Sequence, residues 1–414
     1  MSILRTSTLS GQRSKFADRA QQLPREIALP KAPVLSWRSL RRHDAPVLPN
    51  VSQLQHRAYT TSGRAALLAA LRQLTLPAGS GVLVPTYHCP TMVAPVLQAG
   101  LVPVYFPVGV NGLPELDGIS TKHASSAKAM FVAHYFGLPK SLALVQAWCR
   151  ARGITLVEDC AHSYFGLAGD RPVGHWGDFA TASLSKFFPV SEGGLLASAH
   201  HALTPLGLTP PGLRAQAKGA LDVIEFSYRH GRLPGLSHLL APVFWLKNRA
   251  RAETPTFDPE SPDVSPDAAS LMAGCDMDRV ALAPSAATLA LHRLLPVGGV
   301  VNQRRLNFQT LASALTGVPG VEPLAAQLPD HAAPYVWPLR VYCPERADAI
   351  YARMRAAQLP VFRWDRIWPG TPADPQDSGP QWSRQVLQML CHQDLSAADL
   401  AYVASTTRQI LQAV

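Results

Sequence analysis

The chain has 414 residues, too many for one ordinary core, which predicts two domains. Hydrophobic residues make up 47% and charged residues 16%, which excludes a disordered chain. The net charge of +10 comes with scattered arginines, some clustered before residue 45 and others around 229 to 251. No Lys/Arg run interleaves with aromatics, so nucleic acid is not an expected partner; the charge points weakly to an anionic small substrate or an acidic surface.

The first residues, "MSILRTSTLSGQRSKFADRAQQ", have no apolar core segment, so no signal peptide is expected. They read as a flexible basic arm over 1–50. From about 60 to 200, short apolar runs alternate with helical patterns. "GVLVPTY", "LVPVYF", "AMFVAHYF", "ITLVED", "ATASLS" and "GLLAS" read as strands, several apolar throughout, as in a sheet covered on both faces. "SGRAALLAALRQL" and "KSLALVQAWCRARG" read as helices, the second ended by Gly153. The expected fold is α/β, with a large domain (51–250) built on a mainly parallel sheet with helices on both faces. A Pro/Asp/Ser-rich linker loop (251–275) follows. A smaller C-terminal α/β domain (276–414) should then hold helices near 278–295 and 300–316, the strand "YVWPLRVYC", and helices "ADAIYARMRAAQ" and "SAADLAYVASTTRQILQA". The cysteines Cys89, Cys149, Cys160, Cys275, Cys343 and Cys391 form no C-x-x-C pair, which predicts reduced thiols in a cytosolic protein. No metal is expected.

The chemistry concentrates in two stretches. "ITLVEDCAHSYFG" ends an apolar strand in Glu158 and Asp159, and ligand sites in open α/β sheets lie at strand carboxyl ends. "SLSKFFPVSEGG" places a lone Lys186 among serines and apolar residues, where an ammonium is costly unless it is used. A carboxylate and a lysine at successive strand ends suit pyridoxal phosphate, which needs a lysine for its aldehyde and an acid for its ring nitrogen. "YTTSGRAALLAAL" puts Ser62, Gly63 and Arg64 at a helix start, a ready dianion site, although Ser62 has a sufficient role as N-cap alone. Ser183 adds a hydroxyl, and Gly193 and Gly194 allow a tight turn behind the lysine.

In this order, S-G-R-A-A-L, V-P-x-Y, "VAHYFG", "VEDCAHS" and "GD…SLSK…EGG" resemble the DegT/StrS family of fold-type I, PLP-dependent sugar aminotransferases, over roughly residues 58–198. The resemblance implies that Lys186 is the Schiff-base lysine and proton shuttle, and that Asp159 pairs with the pyridinium nitrogen. It implies His162 beside the ring hydroxyl, and Ser62, Gly63, Arg64 and Ser183 around the phosphate. The ring-stacking residue should come from "PTYHCP"; Cys89 stands where the family has Phe or Trp, so His88 or Tyr87 is the expected substitute. His134 and Tyr135 match a family turn, with packing an equal reading. The short interval from Asp178 to Lys186 leaves Thr181 as a rival to Ser183. The family's N-x-R motif becomes "CDMDRVALAPSAA", with Arg279 kept and Met277 at the Asn position, and its late H-Y becomes "FRWDRIW".

The activity that the resemblance implies is transfer of an amino group from an amino acid donor to a keto-sugar, expected to be nucleotide-linked, in polysaccharide or secondary-metabolite biosynthesis. Two alternatives stay open: a PLP enzyme of this fold with a non-sugar substrate, and a non-catalytic regulatory relative. A homodimer is expected from the resemblance and from the apolar stretch 221–251, with Phe226, Tyr228, Leu233, Leu236, Leu239, Leu240, Phe244 and Trp245. Membrane-surface contact by 233–246 is the less favoured rival.

Overall fold

The computed structural model describes residues 29–42, 47–236, 239–242, 244–245 and 267–414. Most of the expected N-terminal arm, residues 246–251 of the expected apolar stretch and 251–266 of the expected linker lie outside the described residues.

The larger sheet has seven strands in the order β1-β9-β8-β5-β4-β2-β3. They are β1 (His56–Thr60), β2 (Gly81–Pro85), β3 (Val102–Phe106), β4 (Ala127–Ala133), β5 (Thr155–Asp159), β8 (Phe179–Ser183) and β9 (Gly194–Ser198); β6 (Leu167–Ala168) and β7 (Arg171–Pro172) pair with each other in a separate ribbon. The run from β3 through β2, β4 and β5 to β8 pairs in parallel, while β9 runs antiparallel to both β8 and β1. Every residue of β2 and β9 is buried, which is why these strands read as continuous apolar runs. The carboxyl ends of β4, β5 and β8 come together at one edge, as in other open parallel sheets. β1 escaped the sequence reading because His56 and Arg57 break its apolar pattern.

Helix α1 (Gly63–Gln73) packs on this sheet. The Ser62 hydroxyl caps it by accepting from the Ala65 N–H, and Ala65 to Leu71 are all buried. The segment read as a helix from 140 to 153 is helical over Ala143–Arg150, and Gly153 follows in the left-handed region at φ 63°. The expected helix at 278–295 is a correction. A single 3₁₀ turn, Met277–Arg279, precedes a helix that begins only at Ala286, because Pro284 precedes an N-cap at Ser285. The expected loop at 251–275 is likewise helical over Ala268–Gly274, capped by Asp267.

The second sheet has four strands in the order β10-β11-β13-β12: Val321–Pro323, Val336–Val341, Val386–Leu390 and Val361–Phe362. Its core takes in Trp337, Leu339, Leu387 and Met389, with helices Gly298–Leu315, Pro344–Ala356 and Ala397–Ala413 packed around them. Leu29 of the N-terminal segment joins that core. Tyr335, Val336, Trp382 and Leu390 pack instead into the core of the larger sheet, so the two units share a dry boundary. Among the described residues no helix is long and apolar enough to cross a membrane. In the stretch flagged as an apolar surface, Leu233 and Phe244 are buried; Leu239 and Trp245 are 70% and 60% exposed.

Three buried histidines stitch distant segments together. His88 bonds the Pro85 carbonyl through Nδ1 and accepts from the Trp368 N–H through Nε2. His292 Nε2 meets the Tyr164 hydroxyl at 2.7 Å. His392 Nε2 donates to the Pro30 carbonyl, while its Nδ1 accepts from the Asp394 N–H. Burial lowers all three, His88 and His292 to about 4 and His392 to about 3.

These shifts predict acid lability with a defined sign. A histidine lowered in the folded state gives stability that is complete above its unfolded value near 6.5 and is lost as pH falls towards 4. Asp394, raised by burial to about 6, opposes this by taking up one proton on the folded side. From these four groups, unfolding near pH 5 to 6 should take up about two protons, a contribution to the slope of about 3 kcal/mol per pH unit. Urea unfolding at pH 7, 6 and 5 measures it; a flat profile would contradict the neutral, buried assignment.

Candidate active site

Asp159 is the last residue of β5 and Ser183 the last of β8; Lys186 follows in a 3₁₀ turn, Leu184–Lys186. They open with the start of α1 onto one cleft of about 340 Å³. Ser62, Gly63, Arg64, His162 and Ser183 also line it. The sequence-predicted residues therefore converge, with one exception described below.

The lysine is held from behind. Gly193 donates to the Thr61 carbonyl at 2.7 Å, and Leu184 donates to the Gly193 carbonyl at 2.9 Å. Gly193 sits at φ 128°, and a Cβ on Gly194 would collide with the Ser62 carbonyl oxygen. The two glycines thus let the lysine turn press against the start of α1. Glu192 of the same turn pairs with Arg279, and accepts from the Ser285 N–H at 2.7 Å.

Among the described residues Lys186 Nζ makes no hydrogen bond or ion pair; it lies 5.2 Å over the Tyr335 ring. Burial pulls its pKa below the ordinary lysine value, and the charges of Cys89 and Asp159 restore part of it. Burial pushes Asp159 up, and the Lys186 charge and the Ala161 N–H, bonded at 2.9 Å to Oδ1, pull it back. His162 is held well below its usual value by burial and by Lys186. Its Nδ1 accepts from the Phe136 N–H, which leaves the proton on Nε2. Its ring packs between Tyr335 and Trp364, at centroid distances of 4.4 and 4.8 Å.

At the start of α1, the Ser62 hydroxyl is taken by Ala65 and its carbonyl by Ala66. The Gly63 and Arg64 N–H groups have no protein acceptor among the described residues. A Cβ on Gly63 would touch the Ser183 Cβ at 3.4 Å, so β8 and the helix end are in contact. The Arg64 side chain is committed to Asp276 at 2.8 Å, leaving its backbone N–H as its offer to a ligand. Two free N–H groups at a helix N-terminus, with the Ser183 hydroxyl, suit a dianion. Thr181, the rival hydroxyl, is fully buried with no hydrogen-bond partner and does not reach the cleft.

His88 is the correction. It does not line the cleft: both its nitrogens are bonded elsewhere, and its ring stacks on Tyr105 at 5.5 Å. Tyr87 turns inward too, against Tyr135, Trp364 and Trp382. The residue of "PTYHCP" that faces Lys186 is Cys89 itself, its thiol 2.9 Å from the Thr91 hydroxyl. Tyr135 is a packing residue whose hydroxyl donates to the Tyr87 carbonyl; His134 borders the cleft and bonds Glu158. His134, Glu158 and Cys160 bring possible metal ligands within 4.8 Å of one another, but both Glu158 oxygens are already taken by protein donors.

Sequence reasoning missed Trp364 and Asp276 on the cleft wall. The departure at "FRWDRIW" was the signal for the first. Met277, at the Asn position of the N-x-R motif, is buried in the core, and Asp276 beside it, in the left-handed region at φ 47°, faces the cleft.

Residues 48–205 match the model of the DegT/DnrJ/EryC1/StrS aminotransferase family. GDP-perosamine synthase of Vibrio cholerae is 26% identical over 43% of this chain and 50% of its own length. L-glutamine:2-deoxy-scyllo-inosose aminotransferase of Micromonospora echinospora is 30% identical over 42% of each. The chain thus spans half or less of the length of these curated relatives. The solved structure of Helicobacter pylori PseC, an aminotransferase involved in the biosynthesis of pseudoaminic acid, superposes with a TM-score of 0.62 at 12% identity, covering 94% of this chain and 100% of the other. Residues 48–205 are therefore similar in sequence to the DegT/DnrJ/EryC1/StrS aminotransferase family, and nearly the whole chain shares its fold with a solved aminotransferase structure.

Proposed function

We propose that the protein is a pyridoxal 5'-phosphate-dependent aminotransferase that moves an amino group from an amino acid to a keto-sugar. One observation carries the reading: an unpaired, desolvated lysine amine and a buried carboxylate share a cleft with the open N-terminus of α1.

The donor set fits the cofactor. The Gly63 and Arg64 N–H groups and the Ser183 hydroxyl would hold its phosphate. Asp159 would hold the proton on its ring nitrogen, a role that needs an ionised carboxylate beside a cation. His162, with its proton on Nε2, would donate to the ring oxygen. Cys89 and Thr91 border the space beside Lys186, and Trp364 lines the same cleft. Bound there, the cofactor supplies an electron sink for the charge left at the donor's α-carbon.

The residues of this chain do the rest. Lowered affinity for its proton makes Lys186 Nζ a competent base at neutral pH. It takes the proton from the donor's α-carbon and later delivers one to the acceptor carbon. Walls from buried Tyr335 and His162 and half-buried Trp364 limit the access of bulk water that would compete for that proton. Keto-sugar acceptance is supported by the curated relatives, whose names include sugar and cyclitol aminotransferases. A homodimer is part of the proposal; exposed Leu239 and Trp245 favour a covered surface there.

Two tests bear on this reading. Reduction of the PLP-loaded protein with borohydride, followed by peptide mapping, should place the pyridoxyl group on Lys186 alone; a label elsewhere, or no PLP retained, refutes it. Asp159→Asn should fold normally yet turn over about 10- to 1000-fold more slowly, the range expected for losing one carboxylate–cation contact. Wild-type turnover in that variant would remove Asp159 from the ring nitrogen.

A further inference from the structure

Lys186, Tyr335, His162 and Trp364 follow one another in a row of contacts. Lys186 Nζ lies 5.2 Å over the Tyr335 ring, that ring lies 4.4 Å from the His162 ring, and the His162 ring lies 4.8 Å from Trp364. Tyr335 and His162 are buried, whereas Trp364 is half-buried and lines the cleft. The tryptophan therefore stands at the outer end of the row, past the residue assigned to the cofactor's ring oxygen. An acceptor with its carbonyl near Lys186 and its body extending towards solvent runs alongside it.

This indole is held firmly. It follows Arg363, whose side chain is only 4% exposed. The Arg363 guanidinium donates to the Ser383 and Arg384 carbonyls and pairs with Asp348 at 2.6 Å. Four residues past Trp364, the Trp368 N–H donates to His88 Nε2 at 3.1 Å. Two buried rings also pack against the indole, Tyr87 at 5.1 Å and Tyr135 at 6.1 Å. Its loop is thus clamped on both sides. A surface fixed in advance loses little entropy when a ligand lands on it.

The rest of the cleft is of another chemistry. The hydroxyl-bearing Ser185 and Ser191 line it together with Trp364. A six-membered carbohydrate ring carries both kinds of surface. Its hydroxyls lie around the rim, and its axial C–H groups form an apolar face. An indole is wide, apolar and electron-rich on its face, so it suits that C–H face, while hydroxyls suit the rim. An open-chain keto acid has no such face to offer.

We infer that Trp364 is the platform on which the acceptor's ring rests, with an axial C–H face against the indole and its rim towards Ser185 and Ser191. Trp364 thereby separates six-membered ring acceptors from open-chain ones. The inference rests on the aminotransferase reading and names a specificity-determining residue for its keto-sugar. It asks for the ring alone, which a nucleotide-linked hexose and a free cyclitol both carry.

The test uses the full chain loaded with PLP. Three probes carry the ring: UDP-glucose, dTDP-glucose and scyllo-inositol. Saturation-transfer NMR, irradiating the protein's aromatic protons, should mark the C–H protons of the six-membered ring in at least one of them, and which one separates a linked from a free acceptor. Trp364→Leu should weaken binding of that probe about tenfold and Trp364→Phe about threefold, within the span that an aromatic contact contributes. UDP and dTDP, which lack the ring, should bind the variants as they bind the unaltered protein. Absence of ring saturation with all three probes, or a leucine variant that binds the probe as tightly as before, overturns the inference. An equal loss for UDP or dTDP and its sugar marks a general disturbance of the cleft and overturns it too. The saturation pattern of the unaltered protein decides alone if the leucine variant does not fold. Bleaching of the bound cofactor's absorbance by L-glutamate or L-glutamine is read separately: its absence refutes the aminotransferase reading, while ring saturation still reports on Trp364.

Discussion

A buried carboxylate that takes no part in the chemistry organises the site. Glu158 is fully buried and accepts from the backbone N–H groups of Gly174, Trp176 and Gly177, at 3.0, 2.6 and 2.6 Å, and meets His134 Nε2 at 2.8 Å. Burial alone would raise its pKa; the His134 contact and the N–H donors of Gly177 and Gly174 outweigh burial and hold it below the usual carboxylate range. Four donors on one charge are what make such burial tolerable. They also fix the turn leading into β8 and the exit of β4. Because side chains alternate along a strand, anchoring Glu158 on one face of the sheet sends Asp159 to the other. Two adjacent acids thus have separate duties, one structural and one facing the cleft.

Lys186 depends on a comparable tie from the smaller sheet's side. Arg304, fully buried on the helix Gly298–Leu315, donates to the Lys186 carbonyl at 2.6 Å, to the Pro334 carbonyl and to Gln393. Its guanidinium also lies 4.3 Å over the Phe187 ring. Burial lowers it to about 10, which leaves it charged at neutral pH. The backbone of the reactive lysine is therefore set by a residue more than a hundred positions away, from a different layer of the fold. Gln393 bonds Arg304 and also the Phe187 carbonyl, which closes the bracket around the turn.

Much of this could be read from the chain, for identifiable reasons. The strands β2, β4, β5, β8 and β9 are buried on both faces, so their apolar runs are unambiguous. Asp159, Lys186, Ser62 and Gly63 each sit at the end of such a run or the start of a helix, where position follows from local pattern. What failed was finer than a residue or longer than an element. His88 and Cys89 are neighbours at a turn, and which one faces the cleft depends on Trp368, 280 residues on, engaging the His88 ring. That Asp276 faces the cleft follows from a left-handed backbone conformation that no periodicity reports. Arg304 carries no local signal, since its acceptors on Lys186, Pro334 and Gln393 are scattered over the chain.

The central claim is that the fold presents Lys186 as a desolvated amine beside Asp159, before any cofactor arrives. Carbon-13 NMR of cofactor-free protein labelled at the lysine Cε, assigned with Lys186→Arg, measures this directly. The account predicts that the resonance missing from the variant's spectrum titrates below the ordinary lysine value of about 10.4. A Lys186 resonance that titrates at or above that value would contradict it.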